Sequence, residues 1–413
     1  MSDDALIEVA RAMADLDHPV KVAAADWARE NIGRRDLVEA DHLSLFGRDD
    51  WNTCAEHGVL ATMVPTRLGG AGGSLTTALL TLEGLGLGCA DNGLTFALAS
   101  QILSTQLALE RFGSPEQQQR WLPRLLDGSA IGAFAMTEPD VGSDAFSITA
   151  TAERRPGGGY LLDGHKAYIT FGPVCDLCIV FATTRPGGGS WGISAFLVPT
   201  DLPGVERGDV RPKMGMRTTP FGDLWFRSVE LSDDALIGRE GSGASIFSAT
   251  LDVERAFIFA PQVGAMQRQL EETIAYARER EQGGHAIARH QAVAHRIAAM
   301  KERHERARLF LYRAALAQER GDALTMAASL AKIVACDAAI ESSLDAAVIH
   351  GATGYVSEFD GERQFRDAVG GLVYSGSNDV LRNLVGGVVG AGWRVSRGRE
   401  LRDAGGGRVY SGG

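Results

Sequence analysis

Positive charge is in short supply in this 413-residue chain: 41 Lys and Arg face 52 Asp and Glu, a formal net charge of −11. The phosphate attraction that most nucleic-acid binders rely on is therefore missing, which excludes DNA and RNA as main partners. Long apolar runs are missing too. No stretch reaches the roughly 18 uncharged apolar residues of a membrane span, so no membrane association is expected. The acidic opening Met1–His18 has neither the basic nor the apolar region of a secretory signal, and a cytoplasmic location is expected. Cysteine is scarce and irregular. Cys54, Cys89, Cys175, Cys178 and Cys336 form no regular pattern, which argues against a disulfide framework. Cys175 and Cys178 have C-x-x-C spacing without a second pair, so no zinc or other metal site is expected. Glycine alone is abundant, with 51 residues.

What is present is ordinary globular material, 45% apolar and 23% charged, long enough for two or three structural units. Residues 1–130 read as helical. Within them Ser114-Pro115-Glu116-Gln117 supplies an N-cap, a proline at the first helical position and a capping-box Gln. Glycines 69, 70, 72 and 73 do not complete G-x-G-x-x-G, because Leu75 occupies the last position counted from Gly70, and no βαβ unit surrounds them. A dinucleotide fold is excluded on that count. Residues 131–235 change to short β-rich runs, including 160–162, 165–170, 178–182, 193–198, 224–226 and 229–231. The turns Arg155–Gly159 and Arg185–Gly189 between them predict hairpins of an antiparallel sheet. From 236 to 395 the helical period returns over 246–280, 286–319 and 323–350, with a shorter helix after Ser377, and a bundle is the economical packing. Residues 396–413 are Gly-rich without apolar period and are expected to be a mobile tail. The fold class expected is α+β multidomain: N-terminal helical domain, middle antiparallel β domain, C-terminal four-helix bundle.

The densest chemical signal is Ala133-Phe134-Ala135-Met136-Thr137-Glu138-Pro139-Asp140-Val141-Gly142-Ser143-Asp144, followed by Asp163-Gly164-His165-Lys166-Ala167-Tyr168-Ile169-Thr170. Further segments follow in order: 213–217, Ile237-Gly238, Glu279-Arg280, Gln291, Gly351-Ala352-Thr353-Gly354-Tyr355, Arg366-Asp367-Ala368 and Tyr374-Ser375-Gly376-Ser377. In these the chain resembles the acyl-CoA dehydrogenase flavoprotein family, whose signature is T-E-P-x-x-G-S-D and then G-x-K-x-W/Y-I-T/S. The resemblance implies FAD. A flavin ring needs donors along its pyrimidine edge and flat side chains against its faces. On the resemblance, Phe134, Met136, Thr137, Gly142 and Ser143 line the flavin or the thioester beside it. Tyr168, Ile169 and Thr170 cover the other face. Arg280, Gly351, Gly354 and Ser377 are implied cofactor contacts, and Ser143, Arg255, Tyr374, Ser375 and Gly376 implied substrate contacts. Read singly, Phe134 and Tyr168 are equally well core aromatics of a sheet.

The family removes an α-proton with a carboxylate as hydride leaves the β-carbon for flavin N5. In most members that base is the Glu of Y-E-G-T, yet here the position is Ser375, which cannot accept the proton at neutral pH without a base of its own. A subset that includes the isovaleryl-CoA and long-chain types carries the Glu on an early helix of the C-terminal bundle. Glu254 matches that position, with Ser375 as the small residue that makes room. Its helical neighbours Thr250, Leu251, Phe257 and Ile258 form a largely apolar face, and desolvation there would raise its pKa towards that of a general base. The bland alternative is a surface Glu paired with Arg255 or Arg280.

Two departures from the family pattern stand out: Gly283-Gly284 replaces Phe-Gly after Arg280, and Val348 replaces a Gln. Weaker FAD retention is expected from them. His285, His290, His295 and His304 read as surface or partner-contact residues, since intervals of five rotate the first three off one helical face. Arg366-Asp367 reads as a structural ion pair. The function expected is α,β-dehydrogenation of an acyl thioester, on CoA or on a carrier protein. An electron-transfer flavoprotein is the implied acceptor, with oxygen second, and the implied assembly is a homodimer or homotetramer. The rivals are a flavin monooxygenase on the same fold, which would not need Glu254, and a catalytically inactive binding member.

Overall fold

A computed structural model describes residues 3–391, so the expected tail at 396–413 lies outside the described residues. Three layers of structure follow the chain. The N-terminal helices include α1 (Asp3–Ala14), α2 (Pro19–Asn31), α3 (Leu37–Leu43), α4 (Arg48–Glu56), α5 (Leu75–Gly88), α6 (Asn92–Ser100), α7 (Leu107–Phe112) and α8 (Pro115–Leu126). The Ser114–Gln117 capping box is fully formed at the start of α8. Between α6 and α7 the helix widens into a π segment, Gln101–Gln106. Its terminal glutamines are anchored: both donate to Leu125 O, and Gln101 also accepts from Gly132 N–H at 2.8 Å.

The middle domain is one sheet built from β1 (Gly132–Ala135), β2 (Thr151–Arg154), β3 (Tyr160–Thr170), β4 (Leu177–Thr183), β5 (Ile193–Pro199), β6 (Val205–Arg207), β7 (Phe221–Leu231) and β8 (Leu236–Ile237). Strand order is β6-β7-β3-β2-β4-β5-β8, with β1 also on β4. Both Gly-rich turns close hairpins, β2–β3 and β4–β5. The sheet is not purely antiparallel, however: β1 and β2 both run parallel to β4. Turn signals reveal hairpins but not strands that return from distant segments, which is why these pairs were invisible in the sequence.

The C-terminal helices are α9 (Gly243–Phe257), α10 (Ala260–Glu279), α11 (Gln291–Arg320), α12 (Leu324–His350), α13 (Gly361–Val369) and α14 (Asn378–Val388). The single helix expected over 246–280 is therefore two, broken at Ile258–Phe259, with Pro261 in the first turn of α10 where its missing N–H costs nothing. Helix α10 also locks the N-terminal domain to this one. A Cβ on Gly86 would lie 1.8 Å from Pro261 O, and one on Gly264 would lie 1.9 Å from Glu83 O, so α5 and α10 touch backbone to backbone. Glu83 itself is buried and binds Arg308 Nε at 2.7 Å and the Tyr312 hydroxyl at 2.7 Å, both on α11.

Two readings of the helical region need correction. His304 is not at the surface but 1% exposed, and burial lowers its pKa to about 4. Arg366 and Asp367 do not pair with each other. Successive helical residues point about 100° apart, so Arg366 reaches Asp41 and Glu362 while Asp367 takes Met216 N–H and Asn92.

Candidate active site

Glu254 lies near the C-terminal end of α9, half-buried, with Val253, Phe257 and Ile258 buried around it. Neither bland partner holds it. Arg255 turns to Asp252 at 2.9 Å, and Asp252 is itself fixed by Thr325 at 2.8 Å. Arg280 is exposed, at the far end of α10. The Glu254 carboxylate accepts two neutral hydroxyls instead: Ser375 Oγ at 2.6 Å on Oε1 and Ser104 Oγ at 2.9 Å on Oε2. Burial pushes its pKa up, against the opposing pull of Ser375, Ser104 and Arg255, and the net direction is upward.

Ser375 thus does more than leave room. It stands in the left-handed region at φ 53, followed by Gly376 at φ 88, and its carbonyl accepts from Arg255 Nε at 3.2 Å. That bend costs about 1–2 kcal/mol for a residue with a Cβ, and Arg255 holds it in place. Ser104 was not foreseen. A lone serine in a helical stretch carries no signal, and it is the π segment that turns it onto Glu254, as such segments often do at functional sites. Next to Ser375, the Tyr374 ring packs between Phe96 at 4.8 Å and Phe259 at 5.2 Å. The cavity lined by Phe96, Tyr374, Asn92, Thr95 and Gln262 measures about 10 Å³, room for one water. Ser377 caps α14 by accepting Val380 N–H at 3.3 Å.

A second group forms on the sheet. Lys166 on β3 is fully buried and binds Glu138 at 2.8 Å and Met136 O at 3.0 Å; Ala167 N–H adds a bond to Thr137 O at 3.0 Å. Through these contacts the two signature segments are fastened side by side. The Glu138 carboxylate also accepts Thr149 N–H and Oγ and Ala150 N–H. Burial alone would raise its pKa, but Lys166 and Thr149 hold it below the ordinary range. At the end of β3, where the register with β7 shifts between Lys166 and Ile169, Tyr168 is exposed and Thr170 half-buried, whereas Ile169 is 3% exposed. Gly142 and Ser143 are exposed. Phe134 packs against Phe181 at 5.0 Å and Phe247 at 6.0 Å, as a core aromatic would.

Arg280, Gly351 and Gly354 belong to neither group. Tyr276 stacks on His350 at 4.3 Å, which places the ends of α10 and α12 together. The 20 residues of α10 put that end about 30 Å along the helix from Ala260, beside the Glu254 turn. Among the described residues no cluster suited to a metal ion occurs, and no helix is long and apolar enough to cross a membrane.

Comparison with known proteins settles the family. The Acyl-CoA dehydrogenase N-terminal, middle and C-terminal domain families match residues 18–129, 133–229 and 241–390. The chain belongs to the acyl-CoA dehydrogenase family. It is 36% identical over 346 residues to an L-prolyl-[peptidyl-carrier protein] dehydrogenase of Pseudomonas fluorescens, covering 84% of this chain and 91% of that one. Among solved structures it is similar to the prolyl acyl carrier protein oxidase AnaB, with TM-score 0.88, 38% identity and coverage of 90% and 98%. It is also similar to PigA with FAD and proline, with TM-score 0.87, 32% identity and coverage of 91% and 98%. As a member of this acyl-CoA dehydrogenase family the chain is an FAD-dependent oxidoreductase of acyl thioesters, with the family's three-domain fold.

Proposed function

We propose that this acyl-CoA dehydrogenase family member oxidises a compact acyl thioester to its α,β-unsaturated form with Glu254 as the base. The observation that carries the reading is the Glu254 carboxylate: enclosed, unpaired with any cation, and held only by the Ser104 and Ser375 hydroxyls. Such a carboxylate is basic enough to take an α-proton, and neutral donors release it more easily than a salt bridge would. Arg255 fixes the Ser375 carbonyl and so the bend that aims the hydroxyl. Tyr374, Phe96 and Phe259 stack together beside the base.

The sheet residues fit a flavin. Tyr168 and Thr170 offer an aromatic ring and a hydroxyl at the end of β3, Thr137 and Ser143 lie on the adjoining signature, and the Lys166–Glu138 pair keeps the two segments in register. FAD bound there supplies the acceptor for the β-hydride. Arg280 at the far end of α10, and Gly351 and Gly354 after α12 beside it, lie away from the Glu254 turn and would serve the cofactor of a second copy in a homo-oligomer. An electron-transfer flavoprotein is the acceptor we favour. The similarity to a prolyl-[peptidyl-carrier protein] dehydrogenase and to a prolyl acyl carrier protein oxidase favours a carrier-bound, prolyl-like thioester over CoA.

The test is anaerobic mixing of the FAD-loaded protein with prolyl-carrier protein and with short and long acyl-CoA, following the flavin absorbance. Bleaching by one thioester in wild type and none in E254Q is expected. Equal bleaching in both would sink the base assignment, and oxygen consumption with supplied reduced flavin but no thioester bleaching would favour a monooxygenase.

A further inference from the structure

A polar cluster on the sheet has no part in the chemistry of the base. Asp223 on β7 is 2% exposed, and its two oxygens take four donors. Oδ1 accepts Arg211 Nε at 2.8 Å and Tyr168 N–H at 3.4 Å; Oδ2 accepts Arg211 Nη2 at 2.6 Å and contacts His165 Nε2 at 2.9 Å. Burial alone would raise the Asp223 carboxyl, yet the bonds from Arg211 and His165 bring it below its ordinary range. The Arg211 guanidinium in turn lies 5.2 Å from the centre of the Tyr168 ring, and His165 is fixed by stacking on Trp225 at 4.8 Å.

All of this converges on a residue that gains little from it in isolation. Tyr168 has φ 61, in the region that favours glycine, and is 50% exposed. An L-residue held there is strained, and such strain persists only where the surroundings over-determine it. A half-exposed ring recovers only part of that through burial: its neighbours within the chain are the Arg211 guanidinium and, tilted at 6.2 Å, the Phe221 ring. The bidentate Arg211–Asp223 pair therefore fixes a side chain that leaves half of its surface open to a further packing partner.

We infer that Asp223, acting through Arg211 and His165, is a positioning residue that holds the Tyr168 ring in place as the surface against which the flavin packs. This rests on the reading of Tyr168 as flavin-facing.

A double-mutant cycle tests it on apo-protein titrated with FAD, reading affinity by quenching of FAD fluorescence and ring geometry by visible circular dichroism of the flavin. D223A is expected to weaken FAD about three- to tenfold, the range of one aromatic packing contact, and to alter the flavin dichroism. Tyr168→Gly tolerates the backbone and is expected to weaken FAD similarly. In the Tyr168→Gly background D223A should add no further loss. An equal loss from D223A with and without Tyr168 would overturn the inference, as would D223A with unchanged FAD affinity and dichroism. R211Q, at an exposed residue, carries the same cycle if D223A does not fold. A wild type that takes up no FAD would bring down the site reading and this inference together; a wild type that binds FAD with an additive cycle brings down the inference alone.

Discussion

Glu138 and Glu254 are the same side chain drawn into two interiors, with opposite outcomes. Glu138 is met by an ammonium, a hydroxyl and two main-chain N–H groups, and its pKa falls below the ordinary range. Glu254 is met by two hydroxyls alone, while the nearest cation, Arg255, is turned to Asp252, and its pKa rises. Burial acts on both in the same direction, so the donors decide. A carboxylate saturated with charged and main-chain donors is fixed as structure. One left with rotatable neutral donors keeps its basicity and can exchange those donors for a substrate proton. The role we propose for Glu254 thus rests less on its burial than on its being denied a cation.

The largest effect should come from making the two glutamates differ in charge only. E254Q is isosteric and is expected to slow flavin reduction by about 10²- to 10⁴-fold, the usual share of a general base, with FAD content unchanged and thermal stability not lowered. K166M should give the mirror image. It leaves Glu138 buried without its counter-ion, a loss of about 3–5 kcal/mol of stability, seen as a fall in Tm together with poor FAD retention. A K166M protein as stable as wild type, or an E254Q protein that melts early, would dissolve the distinction between a structural and a chemical glutamate.

How far this contrast could be read from the residues is uneven. The apolar surroundings of Glu254 were legible in its helical neighbours, and Ser375 at the position of the commoner base is what proposes it as the base. The helical–sheet–helical order was legible from the change of apolar period at about 130 and 235. Ser104 was not, since its role depends on a π segment anchored by Gln101 and Gln106 to the Leu125 carbonyl in α8, 24 and 19 residues downstream. The Glu138–Lys166 pair was on view in the two signatures, but nothing in their spacing says that the lysine crosses from β3 to bind a carboxylate. The parallel β1–β4 pairing, the break at Ile258–Phe259 and the burial of His304 likewise depend on segments meeting in space. Local pattern carries periodicity and turns; it does not carry which distant groups will satisfy a buried one.

The hydroxyls on Glu254 permit the finest test of the contrast. Each stabilises the carboxylate more than the acid, so deleting one must raise the pKa further. As the proposed base Glu254 would act ionised, and the acid limb of kcat/KM should therefore move to higher pH in S375A. With about 1 kcal/mol for such a bond, the move is up to about one pH unit; S104A, at the longer contact, should move it less. Stability runs the opposite way. Glu254 has a folded pKa above its unfolded one, so the native state holds the extra proton and loses stability as pH rises from the ordinary carboxylate range through the raised value. S375A extends that interval upward, and its Tm relative to wild type should drop more at neutral pH than under mild acid. In the E254Q background there is no carboxylate to titrate, and S375A should then shift Tm by the same amount at both pH values. A pH-dependent difference that survives E254Q would mean that the serine acts on some other group.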